Sequence, residues 1–192
     1  MVTDKSAAST LIHLRDKPLL WQAAAVFAGT IFLAAASYVE VPLVPVPVNL
    51  QTLAVTLVGA LYGWRLGALT VLAWLAEAAM GMPVLSGGAA GAHHFVGPTA
   101  GYLFAFPLAA ALTGWLAEQG WSGQRPVLAF VSMILGNAVC LALGAMWLAV
   151  SIGPNDAFTF GVFPFLVGGL FKSALGAALL YALFRRKTQK SQ

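Results

Sequence analysis

VFPFLVGGLFKSALGAALLYALFRRK, residues 162–187, is an apolar run long enough to cross a bilayer, with one lysine inside it and three basic residues at its end. The internal lysine, Lys172, lies about ten residues into the run, or roughly 15 Å along a helix. Hydrocarbon disfavours a charge at the centre of a spanning helix by roughly 2.5–3.5 kcal/mol. We therefore expect Lys172 either to pair with an acidic residue or to receive an anion.

The composition indicates a membrane protein. Hydrophobic residues make up 60% of the 192 residues and charged residues 8%, whereas soluble domains carry about 25% charged residues. The length fits one domain spanning residues 1–192. The net charge of +4 does not indicate nucleic-acid binding, because the basic residues cluster at the ends of apolar runs. One cysteine, Cys140, excludes an intrachain disulfide framework and a cysteine-rich metal site. The polar residues 1–18 do not resemble a cleavable signal peptide.

Six apolar runs predict an all-α membrane protein with six transmembrane helices, at about residues 19–39, 50–63, 66–80, 99–117, 127–150 and 162–184. Nine of the ten Lys and Arg residues fall at one set of run ends, and the three connections on the other side, near 40–49, 81–98 and 151–161, contain none. The positive-inside rule then places both termini in the cytoplasm. The residues assigned to the cytoplasmic side are Lys5, Arg15, Lys17, Arg65, Arg125, Arg185, Arg186, Lys187 and Lys190.

Two of the predicted outer connections are too apolar for ordinary solvated loops. Residues 41–48 carry three prolines, which prevent a regular helix, and residues 81–101 carry six glycines. Irregular backbone at membrane depth is tolerated only where protein or a cavity covers it. We expect both loops to fold into or over the outer half of the bundle.

Small residues recur at four-residue spacing in the first run, as Ala24/Ala28 and Ala25/Gly29. Such stripes allow close helix packing. They fit packing within the bundle and also a contact with another membrane subunit.

A small polar set lies inside the predicted spans. Lys172 either forms a structural ion pair with Glu77 or faces a cavity and binds an anionic ligand, and we favour the second reading. Gln51 and Asn137 serve either as interhelical hydrogen-bonding groups or as ligand contacts. The full set is Gln51, Thr52, Thr56, Glu77, Asn137, Lys172 and Ser173.

Enzyme and metal readings find little support. The string Gly168-Gly169-Leu170-Phe171-Lys172-Ser173 lacks the glycine before the lysine that a phosphate-binding loop needs. Ser86 and His93 lack an acidic partner, and the adjacent His93 and His94 lack further metal ligands. We expect no enzyme activity, no metal and no cofactor. A proton-coupled carrier that uses Glu77 stays open as a less favoured alternative.

Several strings resemble the BioY family of biotin-specific substrate-capture (S) components of energy-coupling-factor transporters. They are Val46-Pro47-Val48-Asn49-Leu50-Gln51-Thr52, Gly59-Ala60-Leu61-Tyr62-Gly63, Gly81-Met82-Pro83-Val84, Val96-Gly97-Pro98-Thr99-Ala100-Gly101-Tyr102-Leu103, Pro164-Phe165-Leu166 and Lys172. The resemblance covers most of residues 20–184. It departs at Gly169, where the family usually has Asp, at Asn49, where it has Thr, and at Ala100, where it has Gly.

The resemblance implies six membrane helices with the vitamin bound near the outer face under a loop lid. It also implies a bacterial cytoplasmic membrane, contact with membrane lipid, and work with a transmembrane scaffold subunit and two ATPase subunits. No ATP-binding motif occurs in this chain. An S component for another anionic vitamin is the runner-up.

Biotin fits the residue chemistry. Its valerate needs a cation such as Lys172, its ureido ring needs paired donors and acceptors such as Gln51 or Asn137, and its apolar bicycle suits aromatic walls. Trp74 and Tyr102 are the candidate walls. The predicted substrate-binding residues are Lys172, Gln51, Thr52, Glu77, Trp74, Tyr102, Asn137, Gly97 and Thr99.

Overall fold

A computed structural model describes residues 17–41 and 43–190. Lys5, Arg15 and Pro42, which enter the predictions above, lie outside the described residues. The described chain is almost entirely helical, with six helices and a two-residue strand pair. In chain order these are α1 (Leu19–Ser37), β1 (Glu40–Val41), β2 (Val48–Asn49), α2 (Gln51–Ala79), α3 (Ala100–Glu118), α4 (Pro126–Ile152), α5 (Pro154–Gly161) and α6 (Phe163–Lys190).

Five helical segments are long and apolar enough to cross a membrane: α1, α2, α3, α4 and the continuous segment Pro154–Gln189, which contains α5 and most of α6. Many of their large apolar side chains lie on the outside of the bundle, for example Phe27 and Phe171 at 66% and 71% exposure. In a bilayer such side chains meet lipid tails that are as apolar as they are. This apolar exterior supports the membrane class predicted from composition.

Helix α2 is broken at Gly63, where φ is 80° and ψ is 171°, a conformation essentially restricted to glycine. A Cβ atom on Gly67 would lie 2.8 Å from the Cα of Gly59, although eight residues of continuous helix would separate the two by about 12 Å. The chain therefore folds back on itself at Gly63. The break falls where the sequence predicted a turn between the second and third spans.

The two segments of α2 are short. They rise roughly 18 Å and 24 Å, against about 30 Å of hydrocarbon. The first begins at Gln51, close to the predicted start at residue 50. Whether both segments cross the membrane decides the count of six spans, which stays a prediction.

A side chain from α3 stabilises the turn. The carboxylate of Glu118 accepts the Trp64 backbone N–H at 3.2 Å, so an anion sits at the start of the second segment of α2, where unpaired N–H groups point outward.

The connections predicted at 40–49 and 81–98 pack onto the bundle. Val46 and Leu85, one from each connection, belong to the main hydrophobic core together with Trp74 and Phe106. The 40–49 segment forms an antiparallel pair in which Glu40 faces Asn49. The 81–98 segment contains two single 3₁₀ turns, Ser86–Gly88 and Ala92–Phe95.

The third connection differs from its prediction. Residues 151–161, expected as a loop, are largely helical: α4 continues to Ile152, and α5 follows from Pro154. Gly153, at φ 85°, separates the two helices, and Pro154 is compatible with the first turn of α5 because that position needs no N–H donor.

Candidate functional site

A cavity of about 310 Å³ lies between the two packed connections and helices α2, α3, α4 and α6. This volume is at the lower end of the range of roughly 300–1,000 Å³ typical of small-molecule sites. Its apolar wall includes Val46, Leu103, Phe106, Leu141 and Phe165. Its polar lining is Asn49, Gln51, Thr52, Ser86, His94, Thr99, Tyr102, Cys140 and Lys172.

Lys172 lies in this cavity, 9% exposed. Its ammonium donates to the backbone carbonyl of Asn49 at 3.0 Å. An ammonium has three N–H donors, and this is the one partner found for it among the described residues. The ion pair with Glu77, held open by the sequence, is not formed between these two described residues. Lys172 therefore presents an unneutralised charge to the cavity.

Among the residues predicted to bind substrate, Gln51, Thr52, Thr99 and Tyr102 line the cavity with Lys172. The Tyr102 hydroxyl donates to the Gly161 carbonyl at 2.8 Å, which ties this wall to α5. The Thr52 hydroxyl is buried without a hydrogen-bond partner in the described part of the chain. A buried hydroxyl without a partner is costly, and a ligand polar group would satisfy it.

The other four predicted residues do not line the cavity. Trp74 is fully buried behind it and donates to the Val84 carbonyl at 3.0 Å, which holds the 81–98 connection. Asn137 donates to Ser173 Oγ at 3.1 Å, one residue beyond Lys172. The Gly97 carbonyl accepts the Trp147 indole N–H at 3.0 Å. Glu77 is half-buried near the end of α2.

Sequence reasoning missed Asn49 and Ser86 as site residues. The Asn49 amide donates to Gln51 Oε1 and to Ser86 Oγ, both at 2.8 Å, and its Oδ1 accepts the Gln51 backbone N–H at 3.0 Å. The Ser86 hydroxyl in turn donates to the Glu40 carboxylate. Gln51 Nε2 donates to Ser37 Oγ at 3.0 Å. The only available signal was the departure of Asn49 from the family's usual Thr.

His94 and Cys140 are the remaining unpredicted polar groups of the lining. Burial, with the neighbouring His93 as the smaller cause, lowers the pKa of His94, which favours the uncharged ring at neutral pH. Lys172 is then the cation among the described lining residues. Within the part of the chain that the structure describes, no group of three or more metal-ligating side chains occurs.

An apolar helical bundle around a cavity with one buried lysine defines a multi-pass membrane protein, and the lining of the cavity is chemically suited to a small, mainly apolar anion. Comparison with known proteins gives the family. Residues 7–189 match the BioY family, and the chain belongs to it.

Named relatives agree with the family match. The chain is 37% identical over 136 residues to the probable biotin transporter BioY of Pyrococcus horikoshii, covering 71% of this chain and 79% of that protein. It is 40% identical over 148 residues to the biotin transporter BioY of Rhodobacter capsulatus, covering 69% and 77%. These relatives are named as transporters and not as enzymes.

A solved structure has the same fold. The crystal structure of the S component for biotin from an ECF-type ABC transporter superposes with a TM-score of 0.78 at 26% identity, covering 86% of this chain and 92% of that one. The resemblance inferred from the short strings is thereby confirmed.

Proposed function

We propose that this chain binds biotin and delivers it across the membrane as the substrate-capture component of an energy-coupling-factor transporter. The observation that carries the proposal is the buried Lys172 ammonium in a mainly apolar cavity of a BioY-family chain. The ammonium suits the valerate carboxylate, and the apolar wall suits the bicyclic ring. The hydroxyls and amides of the lining suit the ureido group.

The proposed placement in the membrane has both termini in the cytoplasm of a bacterium, six spans in its inner membrane, and the cavity near the outer face. The absence of Lys and Arg from the connections around the cavity supports this orientation. The 40–49 and 81–98 connections then form the outer cover of the site.

The proposed partners are a transmembrane scaffold subunit and two ATPase subunits, as expected of an S component. Helix α1 offers a surface for such a subunit, because Ala24 and Ala28 are exposed, whereas Gly29 is buried against Thr70 of α2. Small exposed residues permit close approach of another membrane helix.

Radiolabelled biotin binding to the purified chain in detergent tests the proposal directly. Saturable binding that unlabelled biotin displaces supports it. Displacement by another anionic vitamin at lower concentration than biotin would instead favour an S component for that vitamin. No saturable binding of biotin by folded protein would reject the proposal.

A further inference from the structure

Lys172 is held at the wall of the cavity by a neutral group. Its one partner among the described residues is the Asn49 backbone carbonyl. Gly169, one turn before Lys172 on α6, supplies no side chain, and a Cβ atom there would have no neighbour within 4 Å. Position 169 therefore offers the ammonium no side-chain partner, and the Asn49 carbonyl is the group that orients it.

The side chain of Asn49 fixes the peptide that carries this carbonyl. Its Oδ1 and Nδ2 both bind Gln51, the first residue of α2, and Nδ2 also binds Ser86 of the 81–98 connection. Backbone pairing with Glu40 fixes the same residue from the other side. The position of the carbonyl, and hence of the ammonium, therefore depends on this side chain as well as on the strand pairing.

Only an amide side chain provides this combination at this length. Asp offers the acceptor but no N–H donors, and Thr offers a single hydroxyl. The Ser86 hydroxyl extends this series of hydrogen bonds by donating to the Glu40 carboxylate. The resulting network, Glu40–Ser86–Asn49–Lys172, joins both connections over the cavity to α6.

We propose that Asn49 is a positioning residue that holds the Lys172 ammonium over the cavity and links it to both covering connections without neutralising its charge. The inference rests on the proposed function, since it concerns how the site prefers an anionic ligand. An anion entering the cavity meets an oriented ammonium and needs to break no ion pair.

A double-mutant cycle tests this role. Biotin affinity is measured by equilibrium binding for native protein, Asn49→Ala, Lys172→Ala and the double variant. We expect Asn49→Ala to weaken biotin binding about tenfold in the native background, a coupling ordinary for one hydrogen-bond network. In the Lys172→Ala background, the same change should have less than about a twofold effect, because its target is gone.

Two further measurements separate positioning from general support of the fold. Biotin amide, which lacks the carboxylate, should lose little affinity on Asn49→Ala. Ser86→Ala, which removes one Asn49 partner, should give a smaller loss for biotin with the same dependence on Lys172, and it keeps the test open if Asn49→Ala does not fold. Ser132→Ala is the control, because this buried hydroxyl lies outside the cavity lining and has no partner in the described chain.

Equal loss of biotin affinity in both lysine backgrounds, or equal loss for the acid and the amide, would overturn the role of Asn49. Neither result would contradict the proposed function, because the native chain would still bind biotin. Failure of the native chain to bind biotin would instead reject the proposed function.

Discussion

At the scale of single residues, the chemistry of the site depends on one charge in an apolar setting. The lining groups around Lys172 are neutral, and its carbonyl partner leaves N–H donors for a ligand. A charge–charge contact inside a water-poor cavity is stronger than the same contact in water. The carboxylate of the ligand is therefore expected to dominate affinity at this end of the cavity.

Replacement of Lys172 tests that expectation. Lys172→Ala should weaken biotin binding by roughly 2–5 kcal/mol, because the desolvated carboxylate loses its partner. Lys172→Arg should recover only part, since the guanidinium is larger and its donors are arranged differently. Equilibrium binding of labelled biotin to the purified variants measures both.

Biotin amide provides the control for this variant. Its affinity for the native chain should be low, and its affinity for Lys172→Ala should be nearly the same. If Lys172→Ala weakens acid and amide equally and also lowers the melting temperature without ligand, Lys172 has a structural role and the assignment is wrong.

The sequence could predict the residues whose chemistry is unusual for their setting. Lys172 and Gln51 are conspicuous because polar groups inside apolar runs are costly. Asn49 and Ser86 are not conspicuous, because Asn and Ser are common in connections. Their roles depend on contacts between positions 37 residues apart, which no local pattern encodes.

At the scale of elements, the reversal inside α2 determines how the site is assembled. The turn at Gly63 packs against Gly114 of α3, where a side chain would meet the backbone of Gly63 and Trp64. The first segment brings Gln51 and Thr52 to the cavity, and the second ends beside the 81–98 connection. The sequence predicted the turn from Arg65, but the glycine requirement follows from the backbone angles.

Gly63→Ala should destabilise the protein by about 1–3 kcal/mol, because L residues rarely adopt this conformation. Gly168→Ala is a matched control within α6. It adds the same methyl group where no atom beyond the adjacent residues and the surrounding helix backbone lies within 4 Å, and replacing a helical glycine by alanine is expected to stabilise by up to about 1 kcal/mol. Thermal unfolding of both variants in detergent measures the difference. Equal melting temperatures would contradict the requirement for glycine at position 63.

Helix α1 is the element expected to meet a partner subunit. Ala28→Trp places a large ring on the face of α1 that points away from α2, so binding of biotin in detergent should stay unchanged. Uptake of labelled biotin by cells that contain the whole transporter should be lost, because the ring prevents close helix contact. Ala25→Trp, on the half-buried neighbouring position, should reduce binding as well. Unchanged uptake by Ala28→Trp would indicate that this face meets lipid.

At the scale of the whole molecule, the side chains that face outward differ in chemistry from those that face the cavity. The exterior of α1 and α6 is apolar, while the charged side chains of the described chain lie in the connections and near the ends of helical segments, except for Lys172 in the cavity. The distribution of Lys and Arg predicts which side of the membrane each end of the bundle faces.

Cysteine labelling tests that direction. The single native cysteine, Cys140, is buried, so the native chain should react little with a membrane-impermeant maleimide. Ala92→Cys in the 81–98 connection and Gln189→Cys near the end of α6 are both at exposed positions. In intact cells, Ala92→Cys should react and Gln189→Cys should not. In inverted membrane vesicles, Gln189→Cys should react and Ala92→Cys should not. The two positions lie on opposite sides only if the chain crosses the membrane an odd number of times between them. Reaction of both from one side would therefore contradict the predicted topology. It would place either the 81–98 connection on the cytoplasmic face or the C-terminus outside.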